Sequence, residues 1–204
     1  NRQVRLVRNG DLVLAAVAVL AVGFVSPLCA LSSALFSART VHHVLLVGKD
    51  PLSLHGMEKH FRHESLFVGP SDRAAVEEGR AAYIPVFLYE IPKLFQERHL
   101  PLDVAFLSVS PPDIHGFCSL GVEVIASKAA AEAARVMVLE VNDQMPRVLG
   151  DSFIHISQAH KIVEVSNPLP ELEEESLWED ELGIGRNIAE LVEDGATLQM
   201  GIGK

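Results

Sequence analysis

Short apolar runs punctuate the chain from residue 41 onward. Residues 41–47 (VHHVLLV), 65–69 (SLFVG), 103–109 (DVAFLSV) and 136–141 (VMVLEV) read as buried strands. Helical stretches lie between them. Residues 71–78 form one, closed by Gly79 just past its end. Residues 90–98 form a second, with Pro92 tolerable in the first turn. Residues 127–134 (SKAAAEAA) form a third, with Ser127 as N-cap. Strands that alternate with helices and are apolar on both faces predict an α/β fold: an open, mainly parallel sheet with helices on both faces.

Two regions break this rhythm. From Leu12 to Ala38 there is no charged residue, and Arg2, Arg5 and Arg8 precede the run. That length is enough for a membrane span, and the arginines match a signal-peptide start. Gly23 and Ser26-Pro27 interrupt it, however, and Ser32 and Ser33 dilute its second half. A buried strand, a glycine turn and a helix with Pro27 near its first turn is the preferred reading. Residues 168–181 (PLPELEEESLWEDE) are acidic and proline-bearing, and read as a linker. Amphipathic helix resumes over 184–193, with Ile184, Ile188, Leu191 and Val192 on one face. The expected organisation is an N-terminal domain over 1–166, an acidic linker over 167–182 and the start of a second domain over 183–204. An echo between residues 6–13 and 191–198, each a helix end, a glycine turn and an apolar strand, suggests a duplicated architecture. The chain starts at Asn1 and ends in a glycine turn, Gly201-Ile202-Gly203-Lys204, so it reads as a piece of a longer protein.

Charge narrows the partners. The formal net charge of −10 disfavours nucleic acid, whose phosphates need Lys and Arg. It leaves open an anionic small molecule held by one local loop. Two cysteines, Cys29 and Cys118, make no disulfide framework or C-x-x-C pair and suit a reducing compartment.

The densest chemistry lies at Ser110-Pro111-Pro112-Asp113-Ile114-His115-Gly116-Phe117-Cys118-Ser119-Leu120-Gly121, directly after a predicted strand. Ligand sites in open parallel sheets lie at such carboxyl ends. Asp113, His115 and Ser119 offer polar groups, and Gly116 and Gly121 permit close backbone approach. Equally, Asp113 and Ser119 can do no more than satisfy the loop's own N–H groups. No G-x-S-x-G elbow supports a Ser-His-Asp hydrolase. Cys118 reads as a small buried hydrophobe. His42 and His43 point to opposite faces of a strand and cannot chelate together. No His, Cys, Asp or Glu spacing suits zinc, so no metal site is expected.

The segment from Ser110 to Gly121 resembles the signature of the acetyl-CoA hydrolase/transferase N-terminal domain, a family that includes 4-hydroxybutyrate and acetate CoA-transferases. Further stretches match in order: Phe61-Arg62, Ser65-Leu66-Phe67-Val68-Gly69, Gly79-Arg80, Tyr83-Ile84-Pro85-Val86-Phe87-Leu88 and Glu90-Ile91-Pro92. Leu102-Asp103-Val104-Ala105, Val141-Asn142, Met145-Pro146-Arg147, Gly150-Asp151-Ser152, Ile154-His155 and a last run from Glu193 to Gly203 follow. The resemblance spans residues 41–203. It departs from the family pattern at Glu123, Ile125 and Val148, and in the long apolar run before Gly23.

The resemblance implies a NagB/RpiA/CoA-transferase-like fold and CoA transfer between an acyl-CoA, acetyl-CoA above all, and a small carboxylic acid. The implied intermediate is a glutamyl-CoA thioester on a glutamate that lies downstream of this chain, so the chain alone should be inactive. Hydrolysis of acetyl-CoA, or a non-catalytic member of the family, are the alternatives. Coenzyme A is implied as a substrate, with no tightly bound cofactor. Gly201, Ile202 and Gly203 would begin the CoA-binding loop. Ser110, Asp113, His115 and Gly116 would line a cleft. Arg147 would contact a carboxylate or phosphate, or else pair with a nearby acid. Glu123 and Glu140 read as structural or surface groups. A homodimer is expected, placed in mitochondria in a eukaryote or in the cytoplasm in a bacterium.

Overall fold

Strand pairing in the computed structural model follows the apolar pattern closely in the middle of the chain and loosely elsewhere. The structure describes residues 5–6, 18–19, 40–46, 50–171 and 177–199. Its main sheet has five parallel strands. They are β1 (Arg5–Leu6), β2 (Ala18–Val19), β6 (Val104–Val109), β8 (Val136–Asn142) and β10 (Lys161–Val165), in the order β1-β10-β8-β6-β2. A second parallel sheet holds β3 (Thr40–His43), β4 (Arg62–Ser65) and β5 (Ala81–Tyr83). An antiparallel ribbon pairs β7 (Phe117–Ser119) with β9 (Phe153–His155).

Strand β6 is buried along nearly its whole length, as expected of a strand covered on both faces. Leu107 and Val109 join Cys118, Leu120, Leu139 and Ile154 in one apolar cluster. Ala105 belongs to another, with Val44, Leu66, Ile91, Phe95 and Ala130. Among the described residues the α-helices are α1 (Arg73–Glu77), α2 (Ile91–Gln96), α3 (Ser127–Ala133) and α4 (Glu179–Ala189). In α3 the buried residues are small, Ala129, Ala130 and Ala131, which lets a helix backbone pack close to its neighbours.

Several expectations shift. The strand expected at 65–69 is instead Arg62–Ser65, and the one at 41–47 is Thr40–His43. The apolar residues Val44, Leu46 and Leu66 are buried just beyond the ladder, so hydrophobicity marked the strand exits. The polar body of the sheet carries its own ion pair, Arg62 Nε with Glu64 Oε1 at 2.6 Å. Ser127 is the first residue of α3; Ala126 holds the cap position and offers no side-chain oxygen. Helix α2 is shorter than 90–98, with a 3-10 turn at Leu88–Glu90 before it and Arg98 at φ 59 after it.

Two compact units divide the chain, residues 1–170 and 171–204. In the second unit α4 begins at Glu179, inside the stretch read as linker, and ends at Ala189 instead of 193. Its acids are the reason. Glu179, Asp180 and Glu181 sit in the first turn, where negative charge offsets the helix dipole. Glu181 also accepts the Trp178 N–H at 2.8 Å. The 12–38 run lies outside the described residues except for Ala18–Val19, which pair with Ala105–Phe106. Among the described residues no helix is long and apolar enough to cross a membrane. Residues 6–13 of the proposed echo also lie outside them, apart from Leu6.

Candidate functional site

The loop after β6 is held by its own polar groups. Ser110 N–H donates to the Ser119 carbonyl at 2.8 Å, and the Ser119 N–H donates to Ser110 Oγ at 2.9 Å. Ser110 Oγ in turn donates to the Pro111 carbonyl at 3.1 Å. These bonds fold the chain back so that β7 ends beside the end of β6. Ser119 fixes the next turn: its Oγ donates to the Val148 carbonyl and accepts the Val148 and Gly121 N–H groups.

Asp113 anchors the loop tip. Its Oδ1 accepts the N–H groups of Phe117 at 2.8 Å and His115 at 2.9 Å. Its Oδ2 meets Arg147 Nη2 at 2.7 Å. The Phe117 N–H, then the His115 N–H and the Arg147 guanidinium, hold its carboxyl below the usual carboxylate range. Arg147 also donates to the Phe117 carbonyl at 2.9 Å and lies 4.8 Å from the Phe153 ring centre. A cation, an anion and an aromatic face are thus gathered on one exposed edge.

Gly116 sits at φ 87 against His155, where an added Cβ would lie 2.7 Å from Nε2. The His155 ring bonds the His115 carbonyl at 3.0 Å and Ser157 Oγ at 2.7 Å, and packs edge-on against Phe117. Gly121, at φ 58, faces Met145 and the Pro146 carbonyl. His115 itself is exposed, as is Ile114, 94 % accessible at the loop tip. A hollow of about 520 Å³ adjoins the ribbon, lined in part by Phe117, Lys128, Glu132, Phe153, His155 and His160.

The five residues expected in the loop system, Ser110, Asp113, His115, Gly116 and Arg147, therefore come together, but in different states. Ser110 is buried and fully occupied with the loop backbone. Asp113 and Arg147 are paired with each other. His115 is the residue whose ring faces solvent. Gly201, Ile202 and Gly203 lie outside the described residues. His155 and Phe153 were not singled out from the sequence as loop partners, although Ile154-His155 belonged to a matched motif; only the antiparallel pairing of β7 and β9 brings them to the loop. Cys118 is fully buried, and burial pushes its thiol up to about 11, which leaves it unreactive at neutral pH. Glu123 is buried too, accepting the Ser108 N–H at 3.2 Å; burial, with Glu140 close by, raises its carboxyl well above the usual range.

Residues 37–173 match the acetyl-CoA hydrolase/transferase N-terminal domain. The 4-hydroxybutyrate coenzyme A transferase of Clostridium kluyveri is 53 % identical over 161 residues, which is 79 % of this chain and 38 % of that protein. The succinyl-CoA:acetate/propanoyl-CoA:succinate CoA transferase of Fasciola hepatica is 49 % identical over 154 residues, 75 % of this chain and 32 % of that protein. The chain thus spans well under half the length of these relatives. Among solved structures, RipA from Yersinia pestis superposes with a TM-score of 0.80 at 31 % identity, covering 93 % of this chain and 48 % of RipA. A 4-hydroxybutyrate CoA-transferase from Porphyromonas gingivalis gives 0.62 at 33 % identity, covering 92 % and 44 %. The folded core, the loop after β6 and these matches agree, and the chain belongs to the acetyl-CoA hydrolase/transferase family through that family's N-terminal domain.

Proposed function

We propose that this chain forms part of an enzyme that moves coenzyme A from an acyl-CoA, acetyl-CoA foremost, to a small carboxylic acid. The observation that carries the reading is the 53 % identity to a 4-hydroxybutyrate CoA transferase across the loop-bearing domain. In this reading a glutamate carboxylate on a second domain, outside these 204 residues, attacks the thioester carbonyl. CoA thiolate leaves, and an acyl–glutamyl anhydride forms. The thiolate then attacks the glutamyl carbonyl, releasing the first acid and leaving a glutamyl-CoA thioester. The acceptor acid repeats the two steps in reverse. A carboxylate is a weak nucleophile, so the site must exclude water and aim N–H donors at the developing oxyanion. The loop after β6 supplies one wall of that site, with His115 toward the substrate and the Asp113–Arg147 pair holding the loop in shape. Coenzyme A acts as a substrate, and the Gly201–Gly203 turn is the start of its binding loop.

Hydrolysis is the second reading, favoured by the family's own description, which covers both activities. The two differ in what attacks the glutamyl-CoA thioester: an acid leaves as the new CoA ester, whereas water releases free CoA. The test is a paired assay of this chain and of a form continued through a second domain, with acetyl-CoA, a short-chain acid and ¹⁸O-labelled water. The longer form should convert the acid to its CoA ester without releasing free thiol, and this chain alone should do neither above a heat-killed control. Label in acetate with stoichiometric free CoA would point to the hydrolase. Exchange by this chain alone would overturn the requirement for a downstream glutamate.

A further inference from the structure

The second sheet carries a group of side chains that the loop chemistry does not use. His43 of β3 and His63 of β4 lie on one face, because His63 pairs in register with Val41, two residues before His43. Their Nε2 atoms are in contact, and the ring centres are 4.5 Å apart. Asp72, just before α1, brings its Oδ2 to 3.6 Å from His43 Nε2. All three residues are almost wholly buried, at 0 %, 2 % and 0 % exposure.

Hydrogen bonding does not account for this arrangement. One proton can be shared between the two Nε2 atoms, so at least one of them must accept. At 3.6 Å the carboxylate oxygen is beyond a good hydrogen bond. Asp72 Oδ2 is without a donor among the described residues. Buried polar atoms left in this state call for an explanation such as an ion. The other Asp72 oxygen is fixed, since Oδ1 accepts the Gly69 N–H at 2.7 Å, and that bond aims Oδ2 at the rings. Asp50 is close in charge but not available as a ligand: its oxygens accept the Leu52 N–H and the Ser53 hydroxyl. Ser65, paired in register with His43 on the same face, adds a buried hydroxyl without a partner.

We propose that His43, His63 and Asp72 form a binding site for one divalent first-row transition-metal ion of the zinc class. Their ligand atoms all lie within 4.8 Å of one another. Two imidazoles and one carboxylate suit zinc, cobalt or ferrous iron, and do not suit calcium or magnesium, which take oxygen ligands. The ion satisfies both Nε2 lone pairs and the orphaned carboxylate oxygen. A water or the Ser65 hydroxyl completes four-coordination. Around a tetrahedral ion with bonds near 2.05 Å the two Nε2 atoms move apart to about 3.3 Å. The ion thereby ties β3, β4 and the start of α1 together. The site is structural in character, independent of CoA chemistry.

The test uses the chain freed of metal by a chelator and titrated with cobalt(II), then zinc. One equivalent of cobalt should give the ligand-field bands of a four-coordinate nitrogen and oxygen site, and zinc should bleach them. X-ray absorption should count two imidazoles at the ion. Zinc at a hundredfold excess over Kd should raise the melting midpoint by about 5–10 °C. His63→Gln and Asp72→Asn should each lose the bands. Replacing the exposed His55 and His99 by Ala should keep them. If Asp72→Asn fails to fold, the wild-type spectrum and imidazole count decide. No bands and no shift with the wild-type chain, or bands that vanish with His55 and His99, would overturn the site.

Discussion

At the residue scale, the loop after β6 separates two roles that sit two positions apart. Asp113 spends its oxygens on two backbone N–H groups and on Arg147, which is the work of a loop anchor. His115 gives only its backbone to the loop and leaves its ring exposed. The two alanine variants should therefore differ. His115→Ala should keep its melting midpoint within about 1–2 °C of wild type, as surface substitutions do. In a form carrying the second domain it should lower turnover about tenfold or more. Asp113→Ala should melt earlier, because two N–H groups and a guanidinium lose their acceptor. Thermal melts beside single-turnover assays check both; an early-melting His115→Ala with normal turnover would make the ring structural. From sequence, the two residues looked equivalent, since both are polar residues in one proline-stiffened turn. What distinguishes them is which atoms the folded loop leaves free.

At the element scale, the ribbon of β7 and β9 holds the loop against the main sheet, and two glycines let it close. Gly121 at φ 58 would place a Cβ onto Met145 and 3.0 Å from the Pro146 carbonyl. The carbonyl is backbone and cannot turn aside. At Gly116 the obstacle is the ring of His155, which can swing away at the loss of its bond to the His115 carbonyl. Gly79, at φ 74 after α1, faces open space and serves as the control. Urea midpoints should rank Gly79→Ala mildest, at about 1 kcal/mol for the backbone alone. Gly116→Ala should follow, and Gly121→Ala should be worst, at about 3 kcal/mol or more. Equal losses at all three would mean that the close approaches relax freely. The long central strands and α3 were legible from apolar runs and alanine content. The ribbon was not, because three-residue strands such as Phe117–Ser119 have too few positions to show a period.

At the scale of the whole molecule, stability and identity depend on contacts distant in sequence. Glu123 is one of them: it accepts an N–H from β6 and lies near Glu140 of β8. Its raised carboxyl means the folded chain holds a proton that the unfolded chain releases near 4.5. Stability from this group is full below that value and falls as pH rises through the folded pKa. Glu123→Gln keeps an acceptor for Ser108 without the charge. Its melting midpoint should match wild type at about pH 4 and exceed it increasingly toward about pH 8. Parallel curves at every pH would show that Glu123 does not couple proton binding to folding. The sequence by itself determined the α/β class, the loop at the end of β6 and the family, because each rests on local pattern or on motifs in fixed order. Only the tertiary structure decided that Arg147 closes on Asp113, that His155 packs on Gly116 and that His43, His63 and Asp72 share one buried point. Those encounters join segments from 9 to 39 residues apart. The chain brings them together through sheet register and helix packing, which no spacing along a single strand or helix encodes.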